Sequence, residues 1–493
     1  MTDTDVERRQ GTVPLAARPT PWLLLAAVTV VVVPLQTATR PLQDIDLYWH
    51  LLVGQEIIDG TAVGEAGRGW SFAPVPDTWV STQWLSEVLF AWMHSGWGFT
   101  SFVVFRAVTT IIALGVLAAV TLHRRPPRAA VWPFALAGLA LAMTAQDRSQ
   151  QFTYLLAPLV GWWAVRLWHD GRLPRWWVVL PLVVLWSNLH GGWLILPMAL
   201  GLAALARLVD QGLRDRRAWG ALLFALLCPL AAAVAPSGFA NAFAALRFSE
   251  STGAIGEWGK VEVWNWQSSA LIGMTLLVVV AWARGRVRPS RGEIILALGL
   301  IAFGFQAWRS LTPAVLLLAP LVVGILARAL GESDPVPTPV RHPMRRVLVT
   351  AAVVGAVLAL GAAATQTPVV DPKIPVALLT RVADNPDPQR VLNTYNVAGP
   401  LLWFGGGPPH VTVGIDGRAD RYGGAYIDSY TDGLVNARPG WEAQLDELAP
   451  TAAVLRVDEA LAGVLVAQRD WVEVTREGRT VLLRAPGSTG WTP

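Results

Sequence analysis

Charge is what this sequence has least of. Only 15% of its 493 residues are Asp, Glu, Lys or Arg, while 53% are hydrophobic and the mean hydropathy is +0.43. A soluble domain carries about 25% charged residues. The deficit excludes a water-soluble chain of this length and leaves a polytopic membrane protein. Cysteine is almost missing as well. Cys228 stands alone in an apolar run, so no intramolecular disulfide exists and a disulfide scaffold is excluded. There is no P-loop, no G-x-G-x-x-G after a soluble strand, no Cys/His metal cluster and no G-x-S-x-G. Tryptophan, by contrast, is abundant: 25 residues, in keeping with a large membrane–water interface.

Apolar runs long enough to cross a bilayer, roughly 17–25 residues, fall at 21–37, 100–122, 129–145, 152–168, 174–188, 191–208, 219–235, 269–283, 293–307, 311–328 and 347–364. One bent helix could replace the two short spans within 174–208. The first run follows Arg8, Arg9 and Arg18 and reads as an uncleaved anchor rather than a signal peptide, because a polar motif begins seven residues after it. With the N-terminus and its tail 1–20 in the cytoplasm, cytoplasmic segments hold 21 Lys+Arg, opposite loops 7 and the C-terminal tail 11. Anionic lipid accounts for the cytoplasmic set, so nucleic acid is not an expected partner. Two long segments then lie outside the cytoplasm: a first loop, 38–99, and the tail, 365–493. The tail is richer in charge and acidic by four. Its strand-like runs Val411–Ile415, Ala452–Arg456 and Arg479–Arg484, with a helix over Pro439–Leu448, predict a small α/β domain. A Pro-rich linker, Asp334–Val340, precedes the last span. The fold class is mainly α, a polytopic helical bundle with an extracytoplasmic α/β domain.

The first loop opens with Gln43-Asp44-Ile45-Asp46-Leu47-Tyr48-Trp49-His50. A carboxylate at the membrane edge serves as general base on a hydroxyl, or as ligand to a divalent cation at a phosphate. Partial burial would raise its pKa toward a useful range. Asp46 as N-cap of a helix 47–59, with Tyr48 and Trp49 as interface anchors, explains the motif equally well. Farther on, Trp84, Val88 and Trp92 share one face at helical spacing, which predicts an interfacial helix. Glu87 on that helix is either a second acid of the site or a solvated face residue.

Polar residues recur at the outer ends of other spans: Arg106, Asp147-Arg148, Asn188 and His190, Glu257 and Arg309. Ionisable groups there are costly and face a cavity or a partner. An arginine at that depth suits a lipid phosphate, because its planar fork grips two oxygens. In Asn188-Leu189-His190-Gly191-Gly192 two glycines allow close backbone approach beside an imidazole. In the tail, Asn393–Asn396 and Ile415-Asp416-Gly417-Arg418 are polar clusters after strand-like runs. A buried ion pair between Asp416 and Arg418 or Arg421 explains the second.

Taken together, the acidic motif after the first span, the interfacial helix, about eleven spans and the extracytoplasmic tail resemble the GT-C superfamily of polyprenyl-phosphate-sugar-dependent glycosyltransferases. Asp44-Ile-Asp46-Leu-Tyr-Trp49-His50, Trp84-Leu-Ser-Glu87, Asn188-Leu-His190-Gly-Gly192 and Ile415-Asp416-Gly417-Arg418 are similar to a bacterial multi-pass group assigned to it. The near absence of lysine (Lys260 and Lys373 alone) fits a high-GC bacterial genome. Three positions depart from the pattern. The tail lacks a Trp-Trp-Asp-Tyr-Gly motif, Tyr48 stands where the group has Trp, and Ala235-Pro236-Ser237-Gly238 replaces Asn-Pro-Tyr-Gly. The resemblance implies an acidic base or metal ligand at Asp44 or Asp46. Trp49, His50, Glu87, Arg106, Arg148, His190 and Arg309 are the expected substrate-binding residues. The implied donor is a polyprenyl-phosphate-linked sugar drawn from membrane lipid, and the acceptor an extracytoplasmic glycan, lipid or protein. The resemblance fixes no cofactor and leaves the metal open, with a divalent cation, Mg or Mn, as the candidate. Competing expectations are a transporter or flippase of a lipid-linked substrate and a non-catalytic envelope assembly protein.

Overall fold

The computed structural model describes residues 21–122, 127–242, 259, 261–284, 288–331 and 342–491. The N-terminal segment 1–20, the Pro-rich linker and Glu257 lie outside them. Helices stand at all eleven expected positions: α1 (Pro21–Ala38), then α4 (Thr100–Thr121), α5 (Pro127–Thr144), α6 (Gln150–Asp170), α7 (Trp176–Leu189), α8 (Ile195–Gln211), α9 (Arg216–Ala232), α10 (Ser269–Ala283), α11 (Arg291–Gln306), α12 (Leu311–Ala329) and α13 (His342–Thr365). Two more, α2 (Leu47–Ile58) and α3 (Trp84–Trp97), lie in the first loop. Six of the segments are long and apolar enough to cross a membrane by length and composition. The protein is a multi-pass membrane protein.

Local chemistry sets the helix ends. Gly171 closes α6 in the left-handed region, at φ 64°. The Asp215 carboxylate accepts from the N–H groups of Arg217 and Ala218 at the start of α9, and Ser290 does the same for Glu293 in α11. The segment 174–208 is two helices. His190 is fully extended between α7 and a 3-10 turn, Gly191–Leu194, that feeds α8. At the centre stands α12, buried along most of its length against α5, α6, α10 and α11. Gly161 lets α6 approach within contact of the Leu317 backbone of α12, where a side chain would collide. Ionisable residues of the described helices sit near their ends, leaving the middle of the bundle apolar.

The tail holds α14 (Val376–Ala383), α15 (Ala398–Phe404), α16 (Ala419–Asp428), α17 (Trp441–Leu448) and α18 (Ala460–Gln468) around one sheet. Its strands are β1 (Gln389–Asn393), β2 (Val411–Val413), β3 (Ala452–Arg456), β4 (Val472–Glu477) and β5 (Thr480–Arg484), in the order β2-β1-β3-β5-β4. The β1 strand runs parallel to β2 and β3, while β5 runs antiparallel to β3 and β4.

Sequence presented the first loop and the tail as separate pieces; the structure knits them together. Leu42 exchanges backbone hydrogen bonds with Val369 and Asp371, and the stretch Trp70–Phe72 does so with Val413 of β2. Tyr48, Trp49, Trp70 and Trp79 share a core with Leu401, Val413 and Val454. Tyr48 and Trp49 are therefore buried core residues, not interface anchors. The reason is that the tail, not the lipid headgroup region, covers α2.

Candidate functional site

The carboxylates of the first loop sit where α1 gives way to α2. Arg148, two residues ahead of α6, binds both of them. Its Nε donates to Asp44 Oδ2 at 2.6 Å and its Nη2 to Asp46 Oδ2 at 2.6 Å. Asp44 Oδ1 accepts from the Asp46 backbone N–H at 3.0 Å, and Asp46 Oδ1 from the Trp49 indole N–H at 3.0 Å. Asp46 occupies the N-cap position of α2, yet its side chain makes no capping bond. The cap explanation fails because the carboxylate is turned toward Arg148 and Trp49 instead.

The two acids differ in access. The Asp44 side chain is 0% exposed and that of Asp46 26% exposed. Burial raises the pKa of Asp44 above the usual carboxylate range, and the neighbouring Asp46 charge adds to this against the opposing Arg148. Asp44 is thus a buried partner that fixes Arg148, while Asp46 keeps an approachable edge.

A second layer locks the motif from behind. The His50 ring lies against Trp49, 3.6 Å between ring centroids, and its Nδ1 meets Glu87 Oε1 at 2.9 Å. Gln83 faces His50 Nε2 at 3.2 Å and accepts from the Ser149 hydroxyl at 2.7 Å. Because the Gln83 oxygen is committed to Ser149, its amide N–H points at His50, and His50 keeps its own proton on Nδ1 for Glu87. Glu87 is 0% exposed, so the solvated-face alternative for it is excluded: its side of α3 packs on α2. Arg106 is committed elsewhere. It is buried, pairs with Asp147 at 3.0 Å, and donates to the Pro41 and Arg40 carbonyls at 3.1 and 2.6 Å. It clamps the turn ahead of Asp44 rather than facing a ligand, and this corrects its expected substrate contact.

His190 is held from two sides. Its Nδ1 accepts from the Gly192 N–H at 3.0 Å and lies 2.8 Å from Thr153 Oγ1, whose oxygen accepts from the Trp186 indole at 3.1 Å. The extended backbone at His190 and the turn after it create this loop. The imidazole pKa is pushed down to about 3, first by burial and then by the charges of Arg309 and Arg148. His190 is therefore a neutral ring with its proton on Nε2. Asp44, Asp46, Arg148, His190 and Arg309 form one electrostatic neighbourhood at one end of the bundle.

The tail supplies a wall that the sequence did not reveal. At the carboxyl ends of β1 and β2, Asn393 donates to Ile415 O at 2.9 Å and accepts from Gly414 N at 3.0 Å. This seats Gly417 directly against Asp46 and Trp49, so closely that a Cβ there would collide with both. The expected ion pair of the cluster is present. Arg418 meets Asp416 at 2.6 Å, donates to Gly67 O at 2.6 Å and lies over Trp70 and Trp79. Arg421 pairs with Asp77 instead, at 2.9 Å.

No family model matches the chain, and no curated protein matches it. Solved structures do. ArnT from Cupriavidus metallidurans bound to undecaprenyl phosphate aligns at 14% identity and TM-score 0.47, over 95% of this chain and 98% of that one. Its apo state gives 15% and 0.45, over 94% and 97%. The apo oligosaccharyltransferase of Archaeoglobus fulgidus gives 11% and 0.47, over 89% of this chain and 69% of that one.

Two further features define what the site can do. An apolar groove of about 1080 Å³ runs along α7, lined by Trp84, Trp176, Trp177, Leu180, Asn188 and Pro236 among others. The Trp84 indole donates to Asn188 Oδ1 at 2.6 Å at its end nearest His190. The second feature concerns metal. Among the described residues no three His, Cys, Asp or Glu side chains gather as a metal-binding set. The oxygens of Asp44 and Asp46 suit Mg or Mn in chemistry, but all four already accept a hydrogen bond and Arg148 occupies the space between them. A resident cation does not fit this pair unless it displaces Arg148.

Gln83, Ser149, Thr153 and Gly417 are the site residues that sequence reasoning passed over. Three of them adjoin flagged motifs: Gln83 precedes Trp84, Ser149 follows Arg148, and Gly417 separates Asp416 from Arg418. Thr153 carried no signal, being one hydroxyl in an apolar helix.

Proposed function

We propose that the protein transfers a sugar from a polyprenyl-phosphate donor to a hydroxyl on the extracytoplasmic side of the cytoplasmic membrane. The observation that carries this reading is the Asp46 carboxylate, 26% exposed and fixed by Arg148 and Trp49, with that same Arg148 and Arg309 both acting on the His190 ring. The donor's hydrocarbon chain lies in the groove along α7, a helix of 14 residues and therefore about 21 Å. Its phosphate reaches the His190 end of that groove. There Arg309 and the neutral His190 Nε2–H receive the charge that develops on the leaving group.

The acceptor oxygen attacks C1 of the sugar from the opposite face, and the configuration inverts. Its proton passes to Asp46, whose second oxygen remains anchored on Trp49. The C1–O bond to phosphate breaks and its electron pair leaves with the polyprenyl phosphate. Arg148 keeps Asp46 oriented until the proton arrives, and Asp44, buried behind it, holds Arg148. The bias of 21 cytoplasmic Lys+Arg against 7 supports a cytoplasmic N-terminus and an extracytoplasmic tail. The transporter reading calls for ionisable groups at mid-bundle, and the described helices carry theirs near the ends.

Replacing each acid by its amide tests the assignment. In proteoliposomes carrying a labelled polyprenyl-phosphate sugar, Asp46→Asn is expected to lose about 10²–10⁴ in kcat with donor binding retained. Asp44→Asn, which removes one anchor of Arg148, should lose less. Full activity in both variants would overturn the assignment and favour a non-catalytic assembly role.

A further inference from the structure

Beside the apolar groove lies a second, smaller cleft of about 120 Å³, lined by Thr78, Trp79, Thr82, Ser237, Asp420 and Arg421 among others. The two are neighbours along the chain twice over. Thr82 lines the cleft and Trp84 the groove, with Gln83 between them, and Pro236 lines the groove while Ser237 lines the cleft. The partition residue, Gln83, is the one bonded to His50 and Ser149. The cleft's inner wall, Trp79, is 6.0 Å from Trp49 between ring centroids, and Trp49 holds Asp46. So the two openings flank the acid from different sides.

Their chemistry differs. The groove is a hydrocarbon surface. The cleft brings together three hydroxyls, a carboxylate and a guanidinium against one indole. Asp420 accepts from the Trp79 indole at 2.9 Å and Arg421 is fixed by Asp77, so both are pre-set rather than mobile. The Ser237 hydroxyl is buried with no hydrogen-bond partner among the described residues. A buried hydroxyl left without a partner is costly and marks a place where a ligand's polar group is due. A volume of 120 Å³ is that of about four waters, which suits part of one sugar ring and is too small for an acyl chain or a folded peptide segment.

We propose that this cleft is the acceptor subsite and that its occupant is the terminal sugar of a glycan. The inference rests on the glycosyl-transfer reading and adds the substrate class to it. The acceptor's ring sits among Thr78, Thr82, Ser237, Asp420 and Arg421 and extends one hydroxyl past Trp79 toward Asp46. Donor and acceptor thus approach through different doors, lipid from the α7 side and glycan from the tail side.

Saturation-transfer NMR on the full chain in nanodiscs tests this, with mannotriose, galactotriose and arabinotriose as acceptor probes and decyl phosphate as the groove probe. The wild type is expected to bind at least one triose. Ser237→Phe, which fills the cleft, should abolish that signal and leave decyl phosphate binding intact. The milder Ser237→Ala, which cannot clash, should weaken triose binding about tenfold. Leu180→Trp in the groove should do the reverse, weakening decyl phosphate alone. Decyl phosphate binding with no triose signal overturns the glycan subsite and leaves sugar transfer standing. So does a triose signal that both Ser237 variants leave unchanged. Loss of decyl phosphate but not triose in Ser237→Phe overturns the assignment of the two doors. Failure of both probes in the wild type overturns the transfer reading and this inference with it.

Discussion

Gly417→Ala isolates the contribution of the tail to the site. The glycine is not in a positive-φ conformation, so alanine brings no backbone penalty and the whole effect is steric. The new Cβ would meet Asp46 Oδ1 and Trp49 Nε1 inside contact distance and Trp49 Cε2 at 3.1 Å. None of these can yield easily. Asp46 is held by Arg148, Trp49 is buried, and the loop carrying Gly417 is pinned by Asn393 on one side and the Asp416–Arg418 pair on the other. Overpacking of this kind costs about 1–3 kcal/mol, and a shift of about 1 Å in a positioned group costs about 10² in rate. The expected result is a 10- to 100-fold fall in kcat with little change in donor KM, together with a lower Tm. The assay is donor consumption in proteoliposomes, with Gly463→Ala as control because a Cβ at Gly463 meets nothing within 4 Å. Wild-type kcat and Tm in Gly417→Ala would refute the claim that the tail closes on Asp46.

Other outcomes follow from the same geometry. His190 has an ordinary pKa of 6.5 that the fold depresses to about 3, so between those values the unfolded chain binds the extra proton and stability falls with falling pH. His190→Gln should flatten the decline of Tm between pH 6.5 and 4, and an unchanged slope would refute the neutral ring. Arg106→Met leaves Asp147 buried without its partner and is expected to cost about 3–5 kcal/mol. Burial already pushes the Asp147 pKa up to about 6, so the double variant Arg106→Met/Asp147→Leu should recover most of that loss in thermal unfolding; no recovery would show that the pair itself is needed. Because all four oxygens of the acid pair are engaged, sugar transfer should persist in EDTA. Abolition by EDTA with rescue by Mn would show that a cation takes the place of Arg148.

The bundle was legible in the sequence for a plain reason. Each long apolar run has one low-energy solution, a helix, because unpaired backbone groups are intolerable in lipid, and helices stand at every expected position. The acid motif was legible too, since Asp44 and Asp46 stand out in a charge-poor chain. What could not be read was pairing between distant segments. Arg148 was expected on a lipid phosphate, yet it binds the two acids about a hundred residues earlier. Arg106 looked like a site residue by depth alone, and only the fold shows its guanidinium spent on Asp147 and two carbonyls. Glu87 stayed open between a site acid and a solvated face because helical spacing names a face without saying what covers it. In the tail, β1 and β4 escaped notice because Gln389, Arg390, Glu473 and Arg476 interrupt their apolar pattern. Gly417 carries no side chain at all, so its importance exists only as the space it leaves.

The most direct test of the central claim is phosphorus NMR of a polyprenyl-phosphate sugar mixed with the purified chain and acceptor glycan in proteoliposomes. The phosphodiester signal is expected to give way to a phosphomonoester with the wild type and to persist with Asp46→Asn. Diester consumed equally by both proteins, or by neither, would contradict it.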